Sequence, residues 1–216
     1  MRFELDHVFI CTTPEAPEAE RLVQFGLREG PPNQHPGQGT ACRRFPFANA
    51  MIELLWVNDA GEAQNECTRR TLLWERWSRR ASCASPFGFA VRPVAKQSTE
   101  LPFPAWEYRP AYLPDPLVMR IAEAEVEEPM WFYLDFMRRA DREQQFSGHP
   151  IDIREITGVA LTSPRPLRSI GAQRMVESGI LSTRIGVAPL LEIEFDDNRR
   201  NQIADFQPHL PLIVRF

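Results

Sequence analysis

The residues of this chain best suited to chemistry are a histidine and a glutamate carried by two strands far apart in the chain, His7 in RFELDHVFICT and Glu53 in MIELLWV. Glu53 interrupts a strand that is otherwise apolar on both faces. Such a strand is normally covered on both sides, so an ionised carboxylate in its middle needs a partner. Successive side chains on a strand point to opposite faces. By that rule Phe3, Leu5, His7 and Phe9 share one face, and Met51, Glu53, Leu55 and Val57 share another. If the two strands lie in one sheet with those faces on the same side, His7 and Glu53 converge. An imidazole and a carboxylate facing a common hollow can bind a divalent metal, or can simply bond to each other.

The elements that must position this pair can be read around them. A strand over 40–47, a tight reversal at Ala48-Asn49-Ala50 and a strand over 51–57 form a hairpin. Ahead of it, 2–12 reads as a strand and EAPEAERLVQFG as a short helix, with a Thr13 start, an acidic first turn and a Gly26 stop. A Pro/Gly-rich loop, 30–39, joins helix to hairpin, giving a βαβββ order. ECTRRTLLWERWSRR then reads as an amphipathic helix that packs Leu73 and Trp77 against the sheet.

A second strand set, FGFAVRP, AWEYRPAYL, LVMRIAEAEV and MWFYLDF, is broken by proline-marked turns. Its segment 94–104 is too short and proline-rich for a comparable helix. MRRADREQQFSGHP reads as a linker holding an exposed His149. A third set follows: the strand ITGVALTSP, a helix with Pro166 at its start and Gly179 just past its end, and the strands ILSTRIGV, LLEIEFDD and LPLIVRF. Glu192 and Glu194 fall on an ordinary solvated face, and His209 reads as structural. The expected organisation is a first βαβββ unit with its following helix over 1–84, a second unit lacking a full helix over 85–140, a linker over 141–154, and a third βαβββ-like unit over 155–216. The fold class is α+β, with repeated units forming curved, mostly antiparallel sheets.

Composition bounds the rest. With 216 residues, 43% of them hydrophobic, the chain is long enough for a proper core. No run approaches a membrane span, and the N-terminus opens on a strand pattern with no leader-like run, so a cytoplasmic location without membrane contact is expected. A net charge of −4 gives nucleic-acid binding no electrostatic support. Cys11, Cys42, Cys67 and Cys83 are scattered and read as buried apolar residues in a reducing compartment. Hydrolase, zinc-protease, kinase and dehydrogenase motifs are absent from the sequence.

LDHVFI at the N-terminus, HPGQGT in the loop and MIELLWV after the hairpin, followed by a helix and FGFAV, together resemble the glyoxalase-like branch of the vicinal oxygen chelate superfamily, over roughly residues 1 to 136. The resemblance implies βαβββ units whose sheets pair into a cup. It also implies a divalent metal (Zn, Fe, Mn or Ni) held by a His from the first strand and a Glu from the last strand of each unit. It carries over to His7 and Glu53 only. The matching positions in the second unit fall near Gly88 and Tyr133, which do not supply the His and Glu. His35 in HPGQGT is offered as a third ligand or a substrate contact.

Two functions follow. In the first, a metal on His7, Glu53 and His35 acts as a Lewis acid on a small oxygen-rich molecule in isomerase, lyase or dioxygenase chemistry. Glu53 or Tyr133 would move the proton. Arg43 or Arg44 would hold a carboxylate, since only one of these neighbours can face inward, and Trp56 would also contact the substrate. In the second, a metal-free cup of the bleomycin-resistance type sequesters a flat or apolar ligand between Phe45, Trp56, Trp106, Trp131 and Phe132. An exposed sheet edge also admits a homodimer.

Overall fold

The computed structural model describes residues 3–94 and 101–216. In chain order its elements are β1 (Phe3–Cys11), α1 (Ala19–Phe25), β2 (Asn33–His35), β3 (Thr40–Pro46), β4 (Met51–Val57), α2 (Ala60–Ala63), α3 (Leu73–Ser78) and β5 (Phe87–Pro93). They continue with β6 (Ala105–Tyr108), β7 (Met119–Ala122), β8 (Met130–Tyr133), α4 (Arg139–Gln145), β9 (Ile156–Ser163) and α5 (Ile170–Glu177). The chain ends with β10 (Ser182–Ile185), β11 (Leu190–Phe195), β12 (Ile203–Asp205) and β13 (Leu212–Arg215). Part of the segment expected to lack a helix, 95–100, lies outside the described residues.

Eight strands form one curled sheet in the order β2-β3-β4-β1-β5-β8-β7-β6. Its two halves mirror each other. β1 runs parallel to β4 and β5 runs parallel to β8, while β1 and β5 pair antiparallel at the centre. The first two strand sets of the sequence are therefore the two halves of one cup, which closes within a single chain.

The third set differs from a copied βαβββ unit. Its strands lie in the order β10-β9-β11-β13-β12, with β9 parallel to β10, β9 antiparallel to β11, β11 parallel to β13 and β13 antiparallel to β12. That sequence of polarities repeats β4-β1-β5-β8-β7 in the large sheet. The third region is thus a shortened version of the whole cup. β12, where the sequence shows no strand pattern, is what completes this arrangement.

The two sheets share a continuous apolar core. Val8, Ile10, Ile52, Phe89 and Trp131 from the large sheet meet Val159, Leu161, Ile193 and Val214 from the small one, with Leu22 of α1 and Met175 of α5 beside them. Burying each such side chain contributes roughly 1.5–3 kcal/mol. α1 stops at Gly26, whose φ of 107° is left-handed and whose N–H bonds back to Leu22 and Val23 carbonyls. Asn49, in the β3–β4 turn, ties the layers by bonding both the N–H and the carbonyl of Ile156, at 2.9 and 2.7 Å.

Several sequence expectations change here. The helix expected across ECTRRTLLWERWSRR is confined to α3, because Leu72 takes a left-handed φ of 57° and breaks it from the preceding turn. The segment read as a linker contains α4. His149 is buried: it accepts a bond from the Arg28 N–H at 2.8 Å and packs on Phe47. Glu192 is buried too, between Arg184 and Arg215. Cys67 and Cys83 are exposed, unlike Cys11 and Cys42. No helix among the described residues is long and apolar enough to cross a membrane.

Candidate functional site

The open face of the cup holds a cavity of about 250 Å³. β1 and β4 place His7 and Glu53 in its wall, with His7 Nε2 3.9 Å from a Glu53 carboxylate oxygen. Both side chains are largely buried. Glu53 has no nitrogen or oxygen hydrogen-bond partner among the described residues, an expensive condition for a carboxylate in a mostly apolar wall.

His7 reaches the cavity by a route the alternation rule misses. A bulge between Leu5 and His7 shifts the β1–β5 register. Phe3 and Leu5 therefore turn to the core between the sheets, while His7 and Phe9 face the cavity. The expectation that all four share one face is corrected accordingly.

The bulge also seats Asp6, which no local sequence pattern singles out. Asp6 is fully buried and accepts from His7 Nδ1 at 2.7 Å and from Arg92 at 2.8 Å, and Arg142 of α4 bonds it through two nitrogens. Burial alone would raise its pKa, but the His7 hydrogen bond and the Arg142 charge outweigh that and hold the carboxyl well below the usual carboxylate range. A carboxylate on Nδ1 selects the tautomer protonated there, which leaves the Nε2 lone pair facing Glu53 and the cavity.

Of the two arginines, Arg44 lies opposite Glu53 in the β3–β4 register and lines the cavity. Its Nε donates to the Pro31 carbonyl at 2.7 Å, and it forms no ion pair among the described residues. Arg43 points the other way, to Glu29 and Glu20. His35 lines the cavity beneath Tyr112, with ring centroids 4.8 Å apart. Its two ring nitrogens are engaged by Thr40 at 2.9 Å and Asn33 at 3.0 Å, and burial pulls its pKa down.

Two expected site residues lie elsewhere. Tyr133 and Trp56 belong to the core between the sheets, Tyr133 within it and Trp56 packed against it, because each alternates with the residues of its strand that line the cavity. Phe45 and Trp131 are core residues too, and Trp106 packs beside the cavity cluster; of the proposed aromatic walls only Phe132 lines the cavity. Residues not anticipated are Asp6, Arg142, Gln38 and Tyr112. A helical pattern free of Gly and Pro in RRADREQQ is the one sequence signal that would have found Arg142.

The register also tests the metal. Phe9 pairs with Glu53 and Ala90 pairs with Phe132, so the half-to-half correspondence that sets Gly88 against His7 sets Phe132, not Tyr133, against Glu53. Neither is a ligand. A Cβ at Gly88 would lie 2.1 Å from the Phe9 ring, so that ring fills the space where a second imidazole would stand. Phe132 itself packs edge-on against His7, centroids 5.3 Å apart. Among the described residues no three His, Cys, Asp or Glu side chains gather as a metal-holding group. His7 Nε2 and Glu53 stand 3.9 Å apart, a gap that an oxygen hydrogen-bonded to both can bridge. The four-ligand metal centre implied by the resemblance does not fit these residues, nor does the three-ligand set with His35.

The comparisons agree with this architecture. A crystal structure of a hypothetical protein from Staphylococcus aureus superposes with a TM-score of 0.55 at 12% identity, covering 100% of this chain and 99% of that one, which supports the fold. No curated protein matches the chain. A family model described as a glyoxalase-like domain matches residues 5–170, which hold both halves of the cup and every side chain of the cavity described above. The chain therefore belongs to the glyoxalase-like family of the vicinal oxygen chelate superfamily.

Proposed function

We propose that the cup binds a small molecule with oxygens on adjacent carbons and moves a proton on it, with His7 as the base. The observation that carries this is the pairing of Asp6 with His7 Nδ1 while Nε2 and a Glu53 carboxylate oxygen stand 3.9 Å apart in the cavity wall. His7 Nε2 takes a proton from the carbon beside a carbonyl. The C–H electrons form the enolate double bond and the carbonyl pair moves onto oxygen. Asp6 stabilises the imidazolium, Arg44 faces the negative charge, and Glu53 accepts the hydrogen bond of the neighbouring hydroxyl or enol. A base so positioned contributes on the order of 10²–10⁴-fold. The step needs no Lewis acid, in keeping with the donor set.

Deuterium uptake at C3 of 2-oxo acids in deuterated buffer, followed by proton NMR, tests the reading. Acceleration by the wild-type protein that is lost in both His7→Gln and Glu53→Gln is the expected result. A second reading, binding without turnover, is favoured by the four methionines in the wall, Met51, Met119, Met130 and Met137, which form an adaptable apolar surface. Ligand binding with no exchange above the buffer rate would select it. Metal analysis of protein purified without chelator adds an independent arm: stoichiometric metal lost in His7→Ala would restore the metal enzyme.

A further inference from the structure

The two halves of the cup are matched in backbone but not in chemistry. From the first half, β3, β4 and β1 present Arg44, Glu53 and His7 to the cavity. From the second half, β7 and β8 present Met119, Met130 and Phe132, the segment after β8 adds apolar groups before Arg142, and the segment before β7 adds Tyr112, whose hydroxyl is turned to Gln38 and Met119. The polar and apolar walls meet where Phe132 touches His7.

We propose that the ligand is a small monocarboxylate with an oxygen on the adjacent carbon and a branched or aromatic hydrocarbon body. This rests on the reading of the cavity as the small-molecule site and names what enters it. Arg44 is the one cavity-lining cation without a carboxylate among the described residues, because Arg142 is committed to Asp6. A guanidinium that already spends Nε on a carbonyl keeps its terminal nitrogens for an anion. Arg44 and Glu53 are opposite each other on neighbouring strands, where Cβ atoms lie about 4.5–5.5 Å apart. A carboxylate on Arg44 therefore sits on the wall that also carries Glu53 and His7. The remainder of the molecule is directed across Phe132 onto methionines, which offer no hydrogen bond to a second carboxylate, a sugar or a phosphate. A volume of about 250 Å³ is just below the usual range for ligand pockets and suits a small ligand.

Calorimetric titration with three probes tests this: 2-oxo-3-phenylpropanoate, 2-oxopropanoate, which lacks the body, and 3-phenylpropan-1-ol, which lacks the carboxylate. The expected result is that the first binds at least tenfold tighter than either of the others. Arg44→Gln should weaken the first by tenfold or more and leave the alcohol unchanged, with an unaltered circular dichroism spectrum. Equal or tighter binding of 2-oxopropanoate, full affinity in Arg44→Gln, or no binding of any probe at 10 mM overturns the proposal. The wild-type comparison stands even if the variant misfolds. Tight, Arg44-dependent binding without deuterium uptake keeps the ligand class and rejects only the proton transfer.

Discussion

His7 Nδ1 stands 2.7 Å from a carboxylate oxygen of Asp6, its own chain neighbour, although alternation would send the two side chains to opposite faces of the strand. The bulge between Leu5 and His7 makes the contact available, and Arg92 and Arg142 then lock the carboxylate in place. The base of the proposed reaction is thus oriented by a buried ion cluster that joins β1, β5 and α4.

Replacing Asp6 by Asn should be costly twice over. It leaves two buried guanidinium groups without their shared counter-charge, so unfolding free energy from denaturant titration should fall by roughly 3–5 kcal/mol. It also frees the imidazole tautomer, and deuterium uptake should fall by about 10–100-fold beyond any loss of folded protein. Unchanged exchange in the folded fraction would remove Asp6 from the mechanism.

Tyr133→Phe should leave exchange untouched. Its hydroxyl is buried in the core with no hydrogen-bond partner among the described residues, so removing it should be neutral or stabilising by about 1 kcal/mol, read from the denaturation midpoint. A loss of activity at full stability would return this tyrosine to the site.

Gly88→Ala should destabilise by about 1–3 kcal/mol, because its Cβ would meet the Phe9 ring. Combining it with Phe9→Ala should recover part of that cost, giving a non-additive double-mutant cycle. Additive effects would mean that the ring does not occupy this space.

Two buried groups set successive acid limits to stability. Burial pushes His149 down to about 4 from 6.5, so between those values the unfolded chain binds the proton first and stability falls as pH drops, levelling below about 4. His149→Gln should flatten that window. Asp6 is depressed below its ordinary 3.8, so its contribution is intact above that value and is lost only at more acid pH. Denaturant titrations from pH 8 to 2 should therefore resolve two descents, of which His149→Gln removes the upper one alone. A single descent unaffected by that variant would contradict both assignments.

Much of the architecture is local information. The apolar run of MIELLWV, broken only at Glu53, and the turn at Ala48-Asn49-Ala50 mark out the β3–β4 hairpin. Capping signals at Gly26 and Gly179 mark where α1 and α5 end. Arginine neighbours 43 and 44 had to divide between two faces, because adjacent side chains on a strand cannot share one. Which of them faced the cavity depended on pairing with Glu53 and on Glu20 and Glu29 waiting on the other side, contacts between segments that no local pattern encodes. The bulge in β1, the reach of Arg142 across to Asp6, and the folding of the third strand set into a shortened cup likewise came from tertiary structure alone. Each depends on partners distant in the chain, and a one-residue shift in register is enough to reverse a side chain's face.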